Sequence, residues 1–280
     1  MKKSFFVLRT EIFQTFRQTK ILLILFFLIL LYESILSPMK TLCEDTQFAL
    51  HFFEPFILLC TKSTNIILIP LIYMILLGNF PYCKKQYFQM VRVGKQYWFW
   101  GEFSFIVLSA FIMILILLTG SILFLFGHLK FTYNWSNYMT AMRENFPILY
   151  AENPLLFLDS SIIAHGKPSQ VLIYSFGMMW LYLIIIGICT LYGTIIGKRM
   201  LVLIAAVSTT VIGGSSIYFG GAIQWAFPLV HAEFGLHYDS LFSKVYFPLW
   251  GSVLYLFALL VVLIILCQCC LKTMRIGDES

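Results

Sequence analysis

The sequence predicts an all-α integral membrane protein, and three observations carry that reading. Of 280 residues, 60% are hydrophobic, 18% aromatic and only 11% charged, which is outside the range of a soluble chain of this length. The apolar residues gather into six long runs, each close to the ~20 residues a helix needs to cross ~30 Å of hydrocarbon. Stretches such as FIVLSAFIMILILLTG also lack the period-two alternation of outer-membrane barrel strands. A single transmembrane domain over 1–280 follows.

The first element is an N-terminal interfacial helix over 4–20. Two lysines precede apolar residues there, as in a signal peptide, but Arg9, Glu11, Arg17 and Lys20 interrupt it before any long apolar run. Phe5, Leu8, Ile12 and Phe16 fall on one face at helical spacing, with Arg9, Arg17 and Lys20 off it, which predicts a helix lying in the headgroup plane. The six spans are predicted at 21–37, 56–80, 103–126, 171–197, 200–223 and 247–271. Between them lie external segments at 38–55, 127–170 and 224–246, and a basic, aromatic segment at 81–100.

Orientation follows from the Lys and Arg excess of cytoplasmic flanks. With both termini inside, the cytoplasmic side holds 13 of the 19 basic residues, and Glu44, Asp45, Glu54, Glu144, Glu152, Asp159, Glu233 and Asp239 fall outside. The net charge of +6 therefore reads as topology and contact with membrane lipids, with no call for nucleic acid. The seven cysteines make no metal or disulfide framework; three of them, Cys267, Cys269 and Cys270, close the last apolar run.

Two ionisable residues are expected inside spans, Glu33 and Lys62. At ~1.5 Å per residue both sit within ~10 Å of the outer interface, so they either pair or snorkel outward. Around Lys62, the stretch TKSTN gives the second span a polar patch, and VSTTVIGGSS does the same for the fifth. Small and hydroxylated residues of this kind either pack helices closely or line a polar path. Pro70 is the one residue expected to break a span. YGTIIGKR, around Gly197 and Lys198, lacks the glycine spacing and the Ser/Thr of a phosphate loop, so the chain is expected to bind no nucleotide and to hold no cofactor or metal. GGSS with His231 or His237 lacks the third partner of a serine hydrolase, so no catalytic residue is expected.

Five features together resemble the transmembrane subunits of ABC-2-type (type V) ABC exporters. These are the amphipathic elbow helix, the six spans, and a cytoplasmic coupling segment with Arg92 ahead of Trp98, Trp100 and Gly101. The tight basic turn at Gly197, Lys198 and Arg199 and the Pro-broken external segment before the last span complete the set. The resemblance implies re-entrant external helices in 224–246 and assembly with a second transmembrane subunit, identical or related. It further implies a separate ABC ATPase subunit that binds ATP and Mg²⁺ and docks under Tyr87, Met90, Arg92, Gly94 and Lys95. Thr61, Lys62, Asn65, Ser208, Thr209 and Thr210 would line the path. The aromatic-rich interior favours an amphipathic peptide or lipid-like cargo, and a bacterial inner or plasma membrane is the expected location. The competing reading is a stand-alone channel or secondary carrier without an ATPase partner. The external segment 127–170 is longer than simple members carry and is expected to fold as a small helical cap.

Overall fold

The computed structural model describes residues 2–17, 20–61, 63–78, 84–239 and 244–273. The chain opens with α1 (Lys2–Arg17); α2 (Lys20–Leu31), a π-helical turn (Tyr32–Leu36) and α3 (Ser37–Thr46) then follow one another without a gap. The helix thus runs past residue 37, where the first span is predicted to end. A proline inside a helix clashes with the carbonyl four residues back and lacks its own N–H. The widened π turn spans that carbonyl ahead of Pro38, and the helix continues for ten more residues.

The second predicted span is bent, and its break is not at the proline. α4 (Glu54–Thr61) and α5 (Ser63–Gly78) meet at 82°, while Pro70 lies within α5 and leaves it continuous. The Thr61 hydroxyl donates to the Ile57 carbonyl at 2.9 Å, satisfying one of the acceptors that the end of α4 leaves without a helical partner.

α6 (Lys84–Val93) leads into α7 (Lys95–Phe124). The cap between the spans holds α8 (Asn137–Thr140), α9 (Met142–Asn145), α10 (Pro147–Glu152) and α11 (Ser160–His165). α12 (Pro168–Ile195), α13 (Arg199–Phe219) and α14 (Leu249–Thr273) complete the chain. Among the described residues, α7, α12, α13 and α14 are long and apolar enough to cross a membrane, and the bent α4–α5 pair is a fifth if taken as one span.

α12 is the axle of the array. Of its apolar stretch 61% is buried, against 33% in α7, 22% in α13 and 17% in α14, and it packs on α4, α5, α7, α13 and α14. A helix apolar on all sides is expected at such a position. Close approach comes from small residues: a Cβ on Gly187 would land on Cγ2 of Ile106 in α7, and one on Gly214 of α13 on Ile67 in α5. Gly187→Ala is expected to destabilise the array by about 2 kcal/mol through overpacking. Adding Ile106→Ala should recover part of that loss, and denaturation of the two variants in detergent, read as a double-mutant cycle, checks it.

The three predicted external segments meet at one end of the array. β1 (Leu50–His51) pairs in parallel with β2 (Leu129–Lys130), and the Trp135 indole donates to the Gly166 carbonyl at 2.7 Å. Gly166 and Gly235 are the close contacts of Phe234 and Ile162, which join the cap to the segment before α14. That segment is a correction. No α-helix occurs among the described residues of 220–248; 3-10 turns stand at Ala222–Ala226, Val230–Ala232 and Gly235–His237. Gly220 and Gly221, at φ 66° and 93°, turn the chain sharply out of α13, and Pro228 interrupts the backbone donors that a re-entrant helix would use.

At the opposite end α1 packs on α7. A Cβ on Gly101 would lie 2.6 Å from Val7 Cβ, so α1 sits directly against the helix at that glycine. The inward face of α1 therefore runs through buried Val7 and Glu11, with Leu8 and Ile12 beside it, whereas Phe5, predicted to share their face, is 65% exposed. Phe5, Phe6 and Phe13 point outward instead. The side chain of Phe16 lies outside the described residues.

Candidate functional site

At the α1 end, α6 meets α7 through Gly94, whose φ of 96° and ψ of 140° only glycine adopts without strain. α6 therefore ends at Val93, and residues 95–100 of the predicted 81–100 segment open α7. Val91 (51% exposed) and Arg92 face outward from α6, and Tyr97 and Trp100 are exposed on the adjoining turn of α7. Met90 is 2% exposed and packs with Val93 into the core, because α6 is amphipathic and this is its apolar face. Lys95 and Gly94 are half-buried. Tyr87 belongs to α6, but its side chain lies outside the described residues.

Beneath this surface lies a polar layer that no sequence motif marks. Glu102 of α7 and Glu11 of α1 are both buried and within electrostatic reach of one another. Glu102 faces a cavity of about 20 Å³ shared with Trp98, Thr190, Thr194 and Arg199. The Arg199 guanidinium donates to the Leu77 carbonyl at 3.3 Å, tying the start of α13 to the end of α5.

At the opposite end the break between α4 and α5 opens onto a cavity of about 760 Å³. Thr61, Tyr150, Tyr218, Tyr238 and Tyr246 line it, and its carboxylic side chains among the described residues are Asp159, Glu233 and Asp239. Of the residues predicted to line a path, Thr61 reaches this cavity, while Asn65 is buried and not part of its lining. Lys62 and the Glu33–Lys62 pair fall outside the described residues; Glu33 itself is exposed on the π turn. Thr210 is diverted to packing, since it donates to the Ala206 carbonyl at 2.7 Å and accepts from the Tyr182 hydroxyl of α12 at 2.8 Å. Ser208 and Thr209 are exposed on the outer side of α13, away from the cavity. The fifth-span patch therefore divides between two faces, as consecutive helical residues must.

The cap is fastened to α4 by a buried carboxylate. Glu54 accepts from the His51 backbone N–H at 2.8 Å, the Ser136 N–H at 2.7 Å and the Ser136 hydroxyl at 2.6 Å. His51 adds a second fastening: its Nε2 donates to the Thr132 carbonyl at 2.7 Å, and its Nδ1 accepts from the Phe53 N–H at 3.1 Å. Only the neutral imidazole can do both, and burial lowers its pKa further. Because the folded pKa lies below the ordinary ~6.5, this contribution is complete above that value and is lost as pH falls through the folded one. Protection of the amides in 129–136 against hydrogen exchange, taken relative to their intrinsic rates at each pH, is therefore expected to fall on acidification, and His51→Gln should flatten that response.

No family model matches the chain, and no curated protein or solved structure matches it either.

Proposed function

We propose that the chain is the membrane-spanning subunit of an ATP-driven exporter, working as a dimer of like or related subunits over separate ABC ATPase subunits. The observation that carries this reading is the short amphipathic α6, turned off α7 at the left-handed Gly94 and presenting Val91 and Arg92 outward. Such a lever suits docking on a soluble partner, with apolar contact from Val91 and steering from the cation. Six crossings are part of the proposal. The gap-free helix from Lys20 to Thr46 supplies the first, the bent α4–α5 pair the second, and α7, α12, α13 and α14 the rest.

ATP and Mg²⁺ belong to the partner in this scheme. Closure of the ATPase dimer pushes α6, and the push passes to α7 through Gly94 and to α1 through the Val7–Gly101 contact. Arg199 carries it onward to α5 and so to the break below the outer cavity. Lined by tyrosines and acids, that cavity favours amphipathic cargo bearing positive charge, such as a peptide. Inverted membrane vesicles containing the protein and its partner should accumulate such a peptide when ATP is added. Uptake that follows a proton or sodium gradient and ignores ATP would refute the proposal.

One observation favours the alternative of a secondary carrier, namely the broken helix at Thr61, since carriers bind substrate at discontinuous spans. Carriers built from inverted repeats place a second break in the other half. Here α12, α13 and α14 each run unbroken.

A further inference from the structure

At the outer end, the segment before α14 buries His231 and His237 against Ser252 of α14, all three with no exposure. The Ser252 hydroxyl oxygen lies 2.8 Å from His231 Nδ1 and 2.7 Å from His237 Nε2. The far ring nitrogens fix the tautomers. His231 Nε2 is 2.9 Å from the Trp225 carbonyl oxygen and His237 Nδ1 is 2.8 Å from that of Glu233. A carbonyl only accepts, so each of those nitrogens carries a hydrogen. Two neutral imidazoles would then present two bare nitrogens to one hydroxyl, which has a single hydrogen to give.

Tyr174 of α12 does not make up the deficit. Its hydroxyl donates to the His231 carbonyl at 2.8 Å. Were it to turn to His237 Nε2, at 3.1 Å, that nitrogen and Ser252 Oγ would still face each other at 2.7 Å with no hydrogen between them. One added proton completes every contact: His237 Nε2–H donates to Ser252 Oγ, and the Ser252 hydroxyl donates to His231 Nδ1. The mirror arrangement, with the proton on His231, serves equally.

We propose that His231, Ser252 and His237 form a proton-binding site that holds a single proton at neutral pH and clasps the outer segment to α14. Burial opposes the charge: it lowers His231, and with the repulsion of His231 it pushes His237 down to about 4. Those same effects exclude a second proton. For the first, the hydrogen-bond count prevails, because without it two lone pairs abut in a site closed to water. Ring faces assist, with Trp225 centred 5.1 Å from His237 and Tyr255 of α14 stacked 4.3 Å from His231. Other titratable residues near the pair, among the described residues, include Tyr174, Glu233, Tyr246, whose N–H donates to the His237 carbonyl at 2.9 Å, and Tyr238, behind which His165 of α11 stacks. Glu233 and Tyr238 also line the 760 Å³ cavity, so the clasp fixes one of its walls. None of this depends on an ATPase partner.

The test is the ¹⁵N spectrum of histidine-labelled protein in lipid nanodiscs, followed from about pH 5 to about pH 9, the range in which imidazoles titrate. His231→Gln and His237→Gln supply the assignment. One imidazolium of the pair is expected at pH 7, with its midpoint above that pH and so raised from the ordinary ~6.5, and Ser252→Ala should lower that midpoint by about one unit. Two neutral rings at pH 7 in the wild type, bare at His231 Nδ1 and at His237 Nε2, would overturn the proposal, and that spectrum needs no variant to fold. A midpoint indifferent to Ser252→Ala would overturn it too.

Discussion

Glu54→Ala is expected to lower stability by about 4 kcal/mol and to release the cap from α4. The Glu54 carboxylate is fully buried and receives three donors, from His51 and from both groups of Ser136. Removing it leaves the His51 and Ser136 N–H groups buried without acceptors and severs the link between two segments 82 residues apart. Glu54→Gln should lose about half as much, because one amide oxygen still accepts while the amide nitrogen confronts a donor. Thermal unfolding in detergent, followed by the fluorescence of Trp135 in the same cap, measures both. A Glu54→Ala protein as stable as the wild type would mean that the cap is held by its aromatic contacts alone.

The helices were legible in the sequence because apolar run length and helical period are local properties, and α7, α12, α13 and α14 lie where the runs predict. What escaped was set by contacts across the chain. Glu54 reads as an external acid ahead of an apolar run, and nothing local announces that Ser136 supplies its donors. Glu102 sits at the foot of a span and reads as interfacial, yet Trp98 and Arg199 enclose it. The polar stretch TKSTN was a visible cue to the break at Thr61, but Pro70 drew the expectation away. His231 and His237 follow the serines of GGSS in sequence but do not meet them. Their partner Ser252 lies 21 and 15 residues on, in the following helix, where spacing gives no signal.

The largest effect expected on function is the loss of the ATPase partner when Val91 and Arg92 are replaced together, as Val91→Asp with Arg92→Ala. Both side chains are exposed, so the exchange should leave the fold intact while putting a buried charge into the docking contact and removing its cation. Met90→Ala is the counterpart: Met90 is in the core, so that variant should lose about 2 to 3 kcal/mol of stability and still bind. The most direct measurement is purification of the protein from its native membrane in mild detergent, wild type beside the Val91→Asp, Arg92→Ala variant, with quantification of any co-purifying ATPase. The account predicts an ATPase in stoichiometric amount with the wild type and at least a tenfold reduction with the variant, a difference of about 1.4 kcal/mol or more in binding. A wild-type protein that brings down no ATPase would contradict it and leave α6 as a membrane-surface anchor.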